Sequence, residues 1–530
     1  MRRLALLASL FAALAGCERD ASEARPAPRD FIAHTEAGQV EGRARGDVVV
    51  YRGIPYAAAP VGALRFSPPR PPPPWSGVRD ATRFGPKCPQ MTLGGGFVGD
   101  EDCLSVNVWR PRADPPAGGY PVLVVVHGGS NVIGSGAEPH LDGRVLATEH
   151  GLVVVTFNYR LGLLGFLALP ELRAQHGTAG NWAHLDQIAA LRWVAHNIAS
   201  FGGDPEAVTV MGHSAGALSV CVLLASPLAK GLIDAAILQS GSCDVAPMQL
   251  RERQGDRLLR TSHCDEAEDP LACARALTPP QIVALTPPPT NGTLAANPRA
   301  GGVANWALPV GGAIDGRVLP RSPFAIFAAA EHSVVPTLVG SAADETELFT
   351  PSSLDSCDAY ATAIATHFGE AAPRILTRYP CPADAGARQT YVTATTDALF
   401  GCHARRILAA LGPAAARANT PLFRYRYAHV RQDPAVRELR AFHGGELQLL
   451  TGTHDRLGYA VPDPERELAA AMRASWAALA TAGSPVTAAT PGWAAYDLRR
   501  DNAVVFAWPI EVVEPLDRPR CGLWDAIAAP

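Results

Sequence analysis

The chain has 530 residues, 48% of them apolar and 18% charged, with a formal net charge of −4. There is no basic run, so nucleic-acid binding has no electrostatic footprint. Glycine (49) and proline (47) are frequent, but with apolar content this high they point to many loops on a large folded scaffold rather than to disorder.

The first segment is a targeting signal rather than structure. Arg2 and Arg3 precede an apolar stretch, Leu4 to Ala13, too short to span a bilayer as a mature helix. Leu14-Ala15-Gly16-Cys17 matches the bacterial lipoprotein signal, in which the cysteine is lipidated and becomes the new N-terminus. Residues 1–16 are then the signal peptide, 17–30 a polar, Pro-containing tether, and 31–530 the folded domain. The expected location is outside the cytoplasm, lipid-anchored to the bacterial cell envelope. Glu18 stands where an Asp often marks inner-membrane retention, which favours the outer membrane over the periplasmic face of the inner one. No other segment has 18 uninterrupted apolar residues, so the lipid at Cys17 is the only membrane attachment expected.

Export permits disulfides among the other ten of the eleven cysteines. Cys88 and Cys103, and Cys264 and Cys273, are near enough in sequence to close short loops. Cys221 lies in an apolar run and is expected to be a buried free thiol. Counting leaves the partners of Cys243, Cys357, Cys381, Cys402 and Cys521 open.

Beyond the tether, Gln39-Val40-Glu41 between two glycines and the β-branched run from Val48 to Tyr51 predict a small β-meander. Continuous apolar strands then alternate with helices. Pro121 to Val126, Gly151 to Phe157 and Val208 to Met211 are strands. Asp186 to Ile198 is a helix, with Ile188, Leu191, Val194 and Ile198 available for one face, and a second, apolar helix starts at Ala215. Residues 278–320 are expected to be loops. Val334 to Gly340 and the alternating Leu422 to Tyr427 are later strands, and Ala469 to Leu479 is a C-terminal helix. Continuous apolar strands imply a largely parallel sheet with helices on both faces, an α/β class.

Gly212-His213-Ser214-Ala215-Gly216 follows a strand and opens a helix, the context that a nucleophile elbow requires. A serine hydroxyl is a poor nucleophile unless a base takes its proton, a carboxylate orients that base, and donors stabilise the tetrahedral oxyanion. His127-Gly128-Gly129-Ser130, at a strand end, can aim backbone N–H groups at one point. Gly129, Ser130 and Ala215 are the oxyanion-donor candidates. For the base, His443, His454 and His403 all lie suitably after Ser214. Glu345 with His443 satisfies the order Ser, acid, His, and so does Glu347 with His454. Composition and spacing do not separate them.

These motifs resemble the type-B carboxylesterases, which include the bacterial para-nitrobenzyl esterases and the cholinesterases. The resemblance runs from about Ala33 to the C-terminus. It is carried by Tyr51 to Ala57, Glu101 to Leu104 with Asn107, Asn158 to Gly162 with Gly165-Phe166-Leu167, Leu185-Asp186-Gln187, Asn197-Ile198-Ala199 and Phe201 to Pro205. It implies the α/β-hydrolase fold. It also selects Glu345, in Gly340 to Thr346, and His443, in His443 to Leu447, as triad partners of Ser214. Three disulfides are implied, Cys88–Cys103, Cys264–Cys273 and Cys402–Cys521; we expect Cys357–Cys381 as a fourth. Arg52–Glu101 and Arg160–Asp186 are implied as buried ion pairs, and Ser240 as a neighbour of the triad. The chain departs from the family pattern in three places. His213 replaces a usual Glu, Ser130 a third glycine, and Thr346 a glycine. The Cys88–Cys103 loop holds no Trp, which argues against a choline-ester specialist.

The reading is therefore ester hydrolysis through an acyl-enzyme, on a small-molecule ester, without metal or organic cofactor. Trp306, Phe349 and Phe400 are candidates to line the gorge. The same machinery could serve amides, lactones or one natural ester, and the same fold also hosts non-catalytic binding proteins. The latter typically lose a triad residue, whereas this chain keeps all three. Neither the natural acyl and alcohol groups nor the oligomeric state is written in the sequence.

Overall fold

The computed structural model describes residues 31–92, 94–286, 310–454 and 459–528. Its centre is an eleven-stranded sheet. In chain order the strands are β1 (Arg43–Arg45), β2 (Val48–Pro55), β3 (Ser105–Pro111), β4 (Tyr120–Val126), β5 (Val153–Phe157), β6 (Gly203–His213), β7 (Ala235–Gln239), β8 (Thr337–Ala342), β9 (Leu422–Tyr427), β10 (Ala503–Phe506) and β11 (Glu511–Val513). Across the sheet they lie in the order β11-β10-β9-β8-β7-β6-β4-β5-β3-β2-β1. From β5 to β10 every neighbouring pair is parallel. The edges are antiparallel: β1–β2, β2–β3 and β3–β5 on one side, β10–β11 on the other.

The apolar runs are continuous because both faces of the sheet are covered. On β4, Val122, Val124 and Val126 point into one core and Leu123 and Val125 into the other. Helices α1 (Trp182–Asn197), α2 (Ala215–Ala225) and α3 (Cys402–Arg417) supply the first core, through residues such as Ile188, Leu191, Leu218, Val222 and Leu408. Helix α4 (Asp463–Ala482) covers the other with Leu468, Met472, Trp476 and Leu479. All residues of α2 are buried, which is why it is apolar on every side.

Several expectations shift in detail. Val48 to Tyr51 joins the main sheet, and the meander is a separate three-stranded sheet of Ile32–Thr35, Gly38–Glu41 and Val78–Asp80. Its third strand runs parallel to the second. Helix α4 begins before Ala469, at Asp463, where Pro464 and acidic residues suit a first turn, and it ends on Gly483 at φ 68. Within 278–320, Pro279–Leu285 is helical. β9 alternates in sequence yet is buried throughout. Its Arg424 is neutralised by Asp501 and Asp517, and its Arg426 by Asp517.

Cys88–Cys103, Cys264–Cys273, Cys357–Cys381 and Cys402–Cys521 are bonded as expected. Cys221 is not a free thiol: it is bonded to Cys243. Its apolar surroundings show only that it is buried, and the turn after β7 brings Cys243, equally buried, against α2. This bond ties the helix behind Ser214 to the neighbouring strand's exit. Cys221→Ala/Cys243→Ala is expected to lose ~3 kcal/mol in equilibrium denaturant unfolding, from a closed loop of 22 residues. The Arg52–Glu101 pair is also corrected. Glu101 binds Arg65, which in addition donates to the carbonyls of Arg275 and Leu277. Arg52 lies over the Phe84 ring at 4.3 Å. Arg160–Asp186 is present and fully buried, at 2.7 Å.

Candidate active site

Ser214 sits at the sharp turn between β6 and α2, at φ 59 and ψ −125. That conformation costs a residue with a Cβ about 1–3 kcal/mol and persists only where the surroundings impose it. The flanking glycines are needed because a Cβ on Gly212 would lie 2.2 Å from the Gly216 carbonyl oxygen, and one on Gly216 would lie 2.1 Å from that of Val126. The Ser214 N–H donates to the Gln239 carbonyl at 2.9 Å, and its own carbonyl accepts from Ala217 and Leu218. The side chain, half-buried, faces Gly128, where a Cβ would come within 3.0 Å of the Ser214 Cβ.

The loop after β4 is wound tightly beside it. Gly129 has φ 109, and a Cβ there would lie 2.1 Å from the Ile133 oxygen. Ser130 and Asn131 take left-handed φ values of 54 and 63, so Ser130 keeps the backbone turn that its replacement of glycine put in question. His127 stiffens the loop: its ring stacks on Tyr159 at 4.2 Å, and its Nδ1 is 2.8 Å from the Gly128 oxygen. Burial lowers the His127 pKa to about 4, so this imidazole is neutral. Among the described residues no carbonyl or side chain accepts from the N–H groups of Gly129, Ser130 or Ala215.

Glu345 and His443, separated by 98 residues, meet because β8 and β9 are neighbours and their exits turn toward β6. His443 Nδ1 is 2.5 Å from Glu345 Oε2, and the Ala342 N–H donates to Oε1 at 2.6 Å. Glu345 is wholly buried. Asp344 staples the two loops: it accepts from Arg440, Gln389 and the Ala441 N–H, and its own N–H donates to the Ala441 carbonyl. Asp344 belongs to the Gly340 to Thr346 motif, but only the fold shows this role. The competing candidates are engaged elsewhere. Glu347 binds Arg388, His403 faces Asp244 at 3.0 Å, and His454 Nδ1 is 3.2 Å from the Gln448 oxygen.

Phe349 and Phe400 pack on the His443 ring at 5.4 and 5.2 Å, and His213 does so at 4.5 Å. Phe400 is delivered by a π-helical turn, Asp397–Gly401, which leads into α3. Trp306 and Cys17 lie outside the described residues. Ser240, at φ 54, adjoins the elbow through Gly241, whose Cβ would lie 3.1 Å from the Ser214 oxygen. Among the described residues none is grouped to hold a metal ion, and no helix is long and apolar enough to cross a membrane.

Behind the Glu345–His443 pair lies Glu446, fully buried, with Gln239 Nε2 at 3.4 Å from its Oε1. Trp476 Nε1 donates to the same Gln239 at 3.4 Å. Burial first, and then the Glu345 charge, raise the Glu446 pKa to about 7 from its ordinary value of 4.5. Across that window the folded state holds the extra proton, so this group's contribution to stability falls as pH rises from about 4.5 to about 7. Glu446→Gln carries no ionisable group and is expected to stabilise the protein at pH 8 by up to about 3 kcal/mol, with little effect at pH 4.5. Denaturant unfolding at both pH values checks this.

The sheet order, the sharp turn from β6 into α2 and the serine at that corner define an α/β-hydrolase, and a serine hydrolase by its site. Residues 29–524 match the model of the carboxylesterase family, and the chain belongs to that family. It is a carboxylic ester hydrolase. It is 35% identical to the fumonisin B1 esterase of Sphingopyxis macrogoltabida, covering 90% of this chain and 86% of that one. It is also 35% identical to the para-nitrobenzyl esterase of Bacillus subtilis (strain 168), over 88% of this chain and 92% of the other. A solved PNB esterase superposes with a TM-score of 0.79 at 32% identity, covering 93% of this chain and 99% of that one.

Proposed function

We propose that Ser214, His443 and Glu345 form the catalytic triad, with Gly129, Ser130 and Ala215 as the oxyanion hole. His443 takes the Ser214 proton as Oγ attacks the ester carbonyl. Glu345 holds the Nδ1–H tautomer and stabilises the imidazolium. The three backbone N–H groups receive the oxyanion, and the start of α2 adds its dipole there. His443 protonates the leaving alcohol, and water then releases the acid by the same steps. The observation that carries this reading is the 2.5 Å contact of a wholly buried carboxylate with His443, beside a serine held in strained backbone. The test is labelling of the full chain with a fluorophosphonate, followed by peptide mass analysis. One phosphonate on Ser214, lost in Ser214→Ala, is the expected result; labelling at another residue, or none, overturns it.

The names of the relatives suggest carboxylic esters as substrates, para-nitrobenzyl esters among them. We further propose that residues 1–16 are removed on export and that Cys17 carries the lipid, which tethers the enzyme to the cell envelope through residues 17–30. Two or more acyl chains would anchor it stably. Mass analysis of the N-terminal peptide from membranes tests this. The expected peptide begins at an acylated Cys17; an unmodified Cys17, or a soluble protein with an intact leader, contradicts it.

A further inference from the structure

The residue between Gly212 and Ser214 is a histidine that the mechanism above does not use. Its ring lies 4.5 Å from that of His443, tilted by 44°. It is only 8% exposed, and its Nε2 is buried with no hydrogen-bond partner among the described residues. A buried polar atom without a partner costs about 1–3 kcal/mol, so its position at the reacting centre calls for an explanation. The backbone next to it is bare. Gly444 has φ 81, and a Cβ there would stand 3.2 Å from His213 Cε1 and 3.6 Å from Nε2. Gly444 therefore brings no side chain against this edge of the His213 ring. Deacylation needs a small polar molecule next to His443, and His213 Nε2 is a polar atom there without a partner among the described residues.

We infer that His213 is a second catalytic imidazole, which holds the attacking water of deacylation against His443. This deepens the triad reading and rests on it. The water donates one hydrogen to His443 Nε2 and the other to the lone pair on His213 Nε2, whose own proton is on Nδ1. As the water oxygen bonds to the acyl carbon, His443 takes the first proton. When the C–Oγ bond breaks, His443 returns that proton to Ser214 Oγ, and the carboxylic acid leaves. His213 gives up and gains no proton; it aligns the water and makes its oxygen more electron-rich. Burial above all, and then the neighbouring His443 and His140, push the His213 pKa well down, so the ring is neutral and its lone pair is available. Glu345, behind His443, and Glu446 are the acidic groups at this end of the site.

The role separates the two half-reactions. Acylation brings no water to this place, so His213→Phe, which keeps a ring but no acceptor, should leave acylation within about threefold of wild type. Deacylation should slow by at least tenfold, and His213→Gln, whose Oε1 can accept, should recover part of the loss. Acylation is read by stopped-flow release of p-nitrophenol from p-nitrophenyl butyrate with enzyme in excess. Deacylation is read by intact-mass decay of the butyryl-enzyme after rapid dilution, and thermal melting controls for folding. Slow decay in Phe, partial recovery in Gln and near-normal acylation are the expected set. Equal losses in both steps, or unchanged decay, overturn the role of His213 while leaving the triad standing. Failure of the wild-type protein to form any acyl-enzyme would instead sink the triad reading on which it rests.

Discussion

Glu345→Gln is expected to lower kcat by about four orders of magnitude while leaving KM and thermal stability nearly unchanged. In the proposed triad the carboxylate does two things that an amide cannot. It accepts the Nδ1 proton of His443, fixing the tautomer whose Nε2 can receive the serine proton, and it offsets the positive charge that appears on the imidazole. An amide side chain of the same shape can present its NH₂ to Nδ1 and hold the wrong tautomer. KM should stay put because Glu345 is wholly buried and out of reach of the substrate. Steady-state kinetics on p-nitrophenyl butyrate, beside a melting curve, checks this. A loss below tenfold would mean that another carboxylate orients His443.

Asp517→Ala should cost about 3–5 kcal/mol, the usual penalty for stranding buried charges. Asp517 is completely buried and accepts from Arg424, Arg426 and Arg520. Burial opposes its ionisation, but Arg426, Arg424 and Arg520 outweigh that and lower its pKa to about 2. Because this folded-state value lies below the ordinary 3.8, the stabilisation is fully present above pH 4 and is lost as pH falls toward 2. Removing the carboxylate leaves Arg424 with the Asp501 carboxylate and strips Arg426 of that partner, on the third strand from the sheet's edge. It also loosens the C-terminal segment beside the Cys402–Cys521 bond. The measurement is denaturant unfolding of wild type and variant at pH 7 and pH 3, with the difference shrinking at the lower pH.

The legibility of this protein in its sequence follows from how local each feature is. The Ser214 elbow is a contiguous strand–turn–helix pattern, and the apolar runs of β4, β5 and β6 are visible because both faces of the sheet are covered. The choice of Glu345 over Glu347, and of His443 over His454, came from the family motifs, since spacing alone allowed both pairs. In the structure Glu347 binds Arg388, and His454 Nδ1 lies against the Gln448 carbonyl. Three features depended on contacts between distant segments. Cys221 meets Cys243 only because the turn after β7 packs on α2, and Glu101 meets Arg65 rather than Arg52 because Arg65 is held between Glu101 and the carbonyls of Arg275 and Leu277. Glu446 belonged to the motif that marked His443, but its burial behind Glu345 requires Gln239 from β7 and Trp476 from α4. His213 stood out as a departure from the family pattern, while its contact with His443 is a product of the fold.

The most direct measurement of the central claim is the initial rate of the mature soluble protein and of Ser214→Ala on short- and medium-chain p-nitrophenyl esters. Wild-type turnover with a loss of roughly four or more orders of magnitude in the variant is predicted, as removal of a triad nucleophile gives. A folded wild-type protein that turns over none of these esters, or a Ser214→Ala variant that keeps its rate, would contradict it.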